Sequence, residues 1–175
     1  MNFINLTPAV RGHMVLEIDN DHAASKLYIS PRLTSTGAVH YHGKLRLAAE
    51  HHDHHWLDGQ LRAYGVLHAH LPRTSKLGKV TMAAVPHDAA TTLSHGEFNR
   101  YFMRGLCIEA VANQIAALEV YRAKHVDNPR SDSVMLIGRR VDPGALLAAL
   151  RRNELVDAAF GLPHGPNSGL SVKIP

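Results

Sequence analysis

Ser94-His95-Gly96-Glu97, followed by Phe98, Phe102, Leu106 and Ala110 at four-residue intervals, leaves little freedom for the middle of this 175-residue chain. A serine three residues before a glutamate can close a capping box, each side chain satisfying a free backbone N–H at a helix start. Tyr101, Ile108, Ala112 and Ile115 fill the adjacent ridge. The spacing predicts one long amphipathic helix over about 95–118, whose apolar stripe the rest of the chain must cover. Gly105, in its interior, costs a helix about 1 kcal/mol relative to alanine and predicts that another backbone comes close there.

The half before this helix reads as β structure. Over 38–47, Val39, Tyr41, Leu45 and Leu47 alternate with His40, His42, Lys44 and Arg46, the period of a half-buried strand with a basic outer face. Residues 27–33 give a shorter strand, Pro31 placing it at an edge or a bulge. Thr34-Ser35-Thr36-Gly37 is the turn that would join the two as a hairpin. Residues 60–71 alternate again, 72–79 read as a loop, and 80–85 as a more buried strand before Pro86.

After the helix, 119–126 alternates as a strand ended by Asp127-Asn128-Pro129, and 134–138 is a short apolar strand or buried segment. Asp142-Pro143 sets an N-cap and a first-position proline for a second, short helix over about 143–152 that turns Leu146, Leu147 and Leu150 inward. From about 161 a Gly/Pro-rich tail runs to a last strand at 170–174. The expected class is α+β: a single domain over 1–175, with a strand-rich N-terminal half of antiparallel hairpins packed on the long helix.

A hydrophobic content of 45% against 19% charged residues is the balance of a folded chain, and 19.2 kDa is enough to bury a core. Cys107 is the single cysteine, which excludes an internal disulfide and any Cys-rich zinc motif. Inside an amphipathic helix it reads as a small buried hydrophobe. No apolar run approaches the roughly 20 residues that span a bilayer, and the opening residues lack the basic-then-apolar order of a signal peptide. No membrane partner is expected, and the expected location is the cytoplasm or a virion.

The chain carries 14 histidines and a formal net charge of +4. His40/His42 and His68/His70 form two HxH pairs on predicted strands, where alternate side chains point the same way roughly 7 Å apart and can share a metal ion. These four are the candidate metal ligands, for zinc or another divalent transition metal, with Glu50 or Asp53 as candidate general base. No HExxH or cysteine spacing singles them out. The stretch Glu50-His51-His52-Asp53-His54-His55-Trp56 is expected to be an exposed connection between two strands, anchored by Trp56, where acid would act first. No nucleophile elbow, phosphate-binding loop or nucleotide-cofactor fingerprint is present, and no cofactor is expected.

Basic residues recur along most elements: Lys44, Arg46, Arg62, Lys76, Lys79, Arg100, Arg104, Arg122, Lys124, Arg139, Arg140, Arg151 and Arg152. Such a spread suits non-specific contact with nucleic acid or another polyanion. A chain with no catalytic signature, distributed basic charge and an expected exposed hairpin fits a structural, self-assembling protein, such as a small capsid or shell subunit of a phage or mobile element, acting as a homo-oligomer. Two alternatives stand beside it: a metal-dependent enzyme of hydrolase or oxygenase type using the HxH histidines, and a pH-responsive binding module.

Overall fold

A computed structural model describes residues 1–75, 78–152, 155–163 and 168–175. Lys76 and residues 164–167 of the tail therefore lie outside the described residues. Within them the chain mixes seven helices with two small antiparallel sheets. The N-terminal half is helical: α1 Pro8–Ala23, α2 Ser35–His51 and α3 His54–Leu61 precede a two-stranded hairpin, β1 His70–Thr74 and β2 Val80–Ala84. The central helix α4 Ala89–Ala112 follows, then β3 Leu118–Arg122, α5 Ser131–Val134, β4 Arg140–Val141, α6 Pro143–Arg151, α7 Val156–Ala159 and β5 Leu170–Lys173.

The strand-rich first half expected from the sequence is thus corrected. Residues 27–33 hold no strand, only Leu33 bridging to Leu67, and β1 begins at His70, not Gln60. Residues 38–47 lie inside α2, which buries Gly37, Tyr41, Leu45, Ala48 and Ala49 while leaving Val39 77% exposed. Tyr41 and Leu45 satisfy both periods, and the small residues Gly37, Ala48 and Ala49 complete a helical stripe that alternation does not contain. Thr34 caps this helix, its side chain accepting from Gly37 N–H at 3.0 Å. A Cβ on Gly37 would sit 2.2 Å from the Val66 carbonyl oxygen, so the glycine serves close packing, not a turn.

Helix α1 starts at Thr7-Pro8, with threonine as N-cap and proline at the first position. Its buried stripe is Val10, Met14, Glu17, Ile18 and Asp21. Two carboxylates in that stripe break the apolar pattern by which a buried helix is usually read.

α4 is the axis of the molecule, buried on nearly every side, and α1, α3 and α6 pack along it. It begins at Ala89, five residues before Ser94, and ends at Ala112, not about 118: Ser94 lies inside the helix, its hydroxyl donating to the Thr91 carbonyl at 3.1 Å. The close backbone expected at Gly105 belongs to α1, since a Cβ there would lie 2.7 Å from the Val10 carbonyl oxygen. Phe98, Tyr101, Phe102, Met103, Leu106 and Cys107 are fully buried along it.

The second half follows the sequence more closely. β3 takes the centre of a sheet of order β4-β3-β5, antiparallel on both sides, with Glu119 facing Lys173 and Val120 facing Val172. Asn99 of α4 ties this sheet to the axis by donating to the Leu170 carbonyl at 2.8 Å. α6 has the expected cap, Asp142 accepting from Ala145 N–H at 2.6 Å. The apolar stretch 134–138 is the end of α5 and a turn. No described helix is long and apolar enough to cross a membrane.

Candidate functional site

Asp53 divides the histidine-rich stretch. It follows the last turn of α2 in an extended conformation, and its carboxylate accepts from Trp56 N–H at 2.8 Å, which starts α3. The stretch is therefore a helix–helix junction, not an exposed connection between strands. His51, His52 and His55 are exposed, whereas His54 opens α3 and turns inward. Trp56 packs against the core, as anchoring requires, and carries the His52 ring stacked at 4.4 Å.

His54 is 3% exposed and meets Phe3 edge-on at 5.3 Å, Phe98 at 5.9 Å and, across the α3–α4 seam, His95 at 4.7 Å. Its Nε2 lies 2.6 Å from the Met1 amino nitrogen. His95 is 8% exposed. Nδ1 of both rings is buried without a hydrogen-bond partner. Burial, followed by the nearby positive charge of the amino terminus, pushes the His54 pKa down to about 3 and that of His95 to about 4. Both rings are neutral at ordinary pH. One ring nitrogen from each of His54, His55 and His95 lies within 4.8 Å of the other two, and among the described residues this is the one such group of metal-ligating side chains.

None of the four histidines singled out from the HxH spacing belongs to that group. His40 is exposed on α2, and His42, on the same helix, bonds Asp19 at 2.8 Å and stacks on His22 at 3.9 Å. His68 and His70 are exposed at the foot of the hairpin. The helix under residues 40 and 42 removes the strand geometry that made the first pair look bidentate. Glu50 is held by Arg46 at 2.6 Å, and Asp53 is the cap of α3. Cys107 is buried, its thiol pushed up to about 12 by desolvation, in keeping with an inert core residue. The junction could be read from Asp53 as a cap, but the approach of His95, forty residues on, depends on how α3 docks against α4.

A polar core lies on the other side of α4. Arg104 donates from Nε to Glu17 at 2.7 Å and grips Asp21 through both terminal nitrogens at 2.5 and 3.1 Å. Arg151 of α6 closes on Glu17 at 2.6 Å, and the Tyr101 hydroxyl donates to Asp21 at 2.7 Å. Arg100 pairs with Glu97 at 2.8 Å at the floor of a pocket of about 390 Å³ walled by Tyr28, Leu93, Leu155 and Val156. Burial raises the Glu97 pKa against the pull of Arg100. Arg100 and Arg104 are thus buried internal partners, not part of a basic surface, whereas Arg151 pairs with Glu17 from an exposed position.

The β1–β2 hairpin is the third feature. In its register His70 faces Ala84, Leu71 faces Ala83, Pro72 faces Met82, Arg73 faces Thr81 and Thr74 faces Val80. Opposed residues share a face, so Pro72, Val80 and Met82 lie together on one side. Val80 is 61% and Met82 65% exposed, and only Leu71 and Ala83 are half-buried. The two strands pair with each other alone, leaving both outer edges open among the described residues. No known protein family matches the chain, and neither a curated protein nor a solved structure matches it.

Proposed function

We propose that this chain is a structural subunit that assembles with copies of itself, in the manner of a small capsid or shell protein, and that the β1–β2 hairpin is the arm by which one copy holds the next. The observation that carries this reading is the hairpin itself. A lone two-stranded ribbon is marginal in water, and one with an apolar face and two open edges is a template for pairing with another chain. Pro72 removes one donor from the β1 edge, which leaves the β2 edge, with Val80 and Met82, as the side better suited to accept a neighbour's strand.

The same segment favours a polyanion as further partner. Between Asp58 and Asp88 the sequence has no carboxylate, while it carries Arg62, Arg73, Lys76, Lys79 and three histidines. A shell that encloses nucleic acid needs such a surface, and binding through it would weaken steeply with added salt.

Light-scattering mass of the native protein at neutral pH tests the assembly. The expected mass is many times 19.2 kDa, falling toward a single chain when Val80→Lys and Met82→Lys are combined, with the circular dichroism spectrum unchanged. A native protein that runs as one chain at all concentrations would refute the reading.

A further inference from the structure

The corner between α3 and α4 contains a chemical oddity that assembly does not explain. Two imidazoles, His54 and His95, are almost wholly buried, meet edge-on with ring centroids 4.7 Å apart, and each leaves Nδ1 without a hydrogen-bond partner. A third, His55, closes on His54 at 4.0 Å from the exposed side. Neutral imidazoles gain little from one another, and each orphaned buried nitrogen costs about 1–3 kcal/mol. A chain needing only a packed core would place leucine or phenylalanine here, as it does at Leu57 and Phe98 on either side.

We propose that His54, His55 and His95 form a binding site for one divalent transition-metal ion of the zinc class. Three neutral imidazoles are a borderline-soft nitrogen set, suited to Zn²⁺, Co²⁺, Ni²⁺ or Cu²⁺ and unsuited to Mg²⁺ or Ca²⁺, which require oxygen ligands. A tetrahedral ion with bonds of about 2.0–2.1 Å holds its nitrogens roughly 3.4 Å apart. Nitrogens already within 4.8 Å of one another stand close to that spacing before any ion arrives. Because His55 is exposed, the fourth position faces water, and the site can take a solvent molecule or a ligand atom from a second protein. Asp53 and Asp58, whose charges act on His54 and His95 respectively, offset part of the added positive charge. The bound ion would pin the first turn of α3 to α4.

The test uses the full chain, dialysed against chelator and then titrated with Co²⁺, whose visible absorption distinguishes tetrahedral from octahedral ligation, and with Zn²⁺ in competition. The expected result is one equivalent of Co²⁺ with the intense tetrahedral spectrum, displaced by Zn²⁺, and a higher unfolding temperature with metal than without. His95→Gln should abolish the spectrum. His55→Ala, at an exposed position that the core does not need, should fold normally and weaken binding more than about tenfold. The double change His40→Gln/His42→Gln should leave the titration as it is, which separates this site from adventitious binding by other histidines. Octahedral Co²⁺ only, or a titration unaltered in His55→Ala, would overturn the proposal. Neither outcome depends on whether the chain assembles.

Discussion

α4 is flanked by two polar seams that solve burial in opposite ways. Against α1 and α6 it buries full charges, yet the acceptors of Glu17 and Asp21 are met by Arg104, Arg151 and Tyr101. Against α3 it buries neutral rings and leaves two nitrogens with nothing to bond. The carboxylates of the first seam are met within the chain, although Arg100 Nε beside them has no hydrogen-bond partner. The second is complete only if something outside it arrives. Buried polar groups that are fully partnered specify how helices dock, while those that are not point to a missing ligand.

The largest effect that would sharpen this contrast is Arg104→Ala, which leaves buried Asp21 with the Tyr101 hydroxyl and buried Glu17 with Arg151. We expect a loss of about 3–5 kcal/mol in urea unfolding at neutral pH, and a loss under about 1 kcal/mol would mean the network contributes little. Acid separates the two seams next. In the metal-free protein His54 and His95 have folded pKa values below the ordinary 6.5, so the unfolded chain binds more protons below that pH. Stability is intact above about 6.5 and falls toward pH 4, by up to about 1.4 kcal/mol per pH unit for each ring. Burial pushes the carboxyl groups of Glu17 and Asp21 up, but Arg151, Arg104 and Tyr101 outweigh it and hold them below their ordinary values of 4.5 and 3.8. Their contribution is present above those values and is lost as pH falls through the folded pKa, so it disappears later in the titration. Chemical unfolding across this range should show an early phase that His95→Gln reduces, and a later one that it leaves alone. A single acid phase below pH 4 would erase the distinction. The smallest effect is His95→Leu without metal, expected to be neutral or stabilising by about 1 kcal/mol because an orphaned polar group is replaced by an apolar one. A clear destabilisation would show that the ring has a partner in solution.

The sequence was most informative where local chemistry decides structure. Asp142-Pro143 announces α6, the alternation over 119–126 marks β3 but overruns its end at Arg122, and the cost of Gly105 points to the close passage of α1. It misled where tertiary contacts decide. α2 carries an alternating pattern over ten residues yet is a helix, because Thr34 caps it and small residues finish its buried face. Helix α1 hid behind Glu17 and Asp21, which look solvated until Arg104 is brought to them. The same distance effect hid the histidine corner: His54 and His55 were legible as a cluster, but His95 sat in what read as a cap. The hairpin at 70–84 is half legible: the sequence marks its second strand but reads its first partly as loop and partly as the end of a longer strand.

The reach between Glu17 and Arg104 also bears on how the chain comes into being. Eighty-seven residues separate the two ends of that contact, and during synthesis α1, α2 and α3 all leave the ribosome before their common axis does. For that interval α2 can lie only against α1 and α3, and an incompletely covered alternating segment is one that can pair as a strand with another nascent chain. Loop closure over such a span makes docking of α4 the natural rate-limiting event in folding. A refolding rate that responds more to Gly105→Ala than to changes in the β3–β5 pair would locate the barrier there.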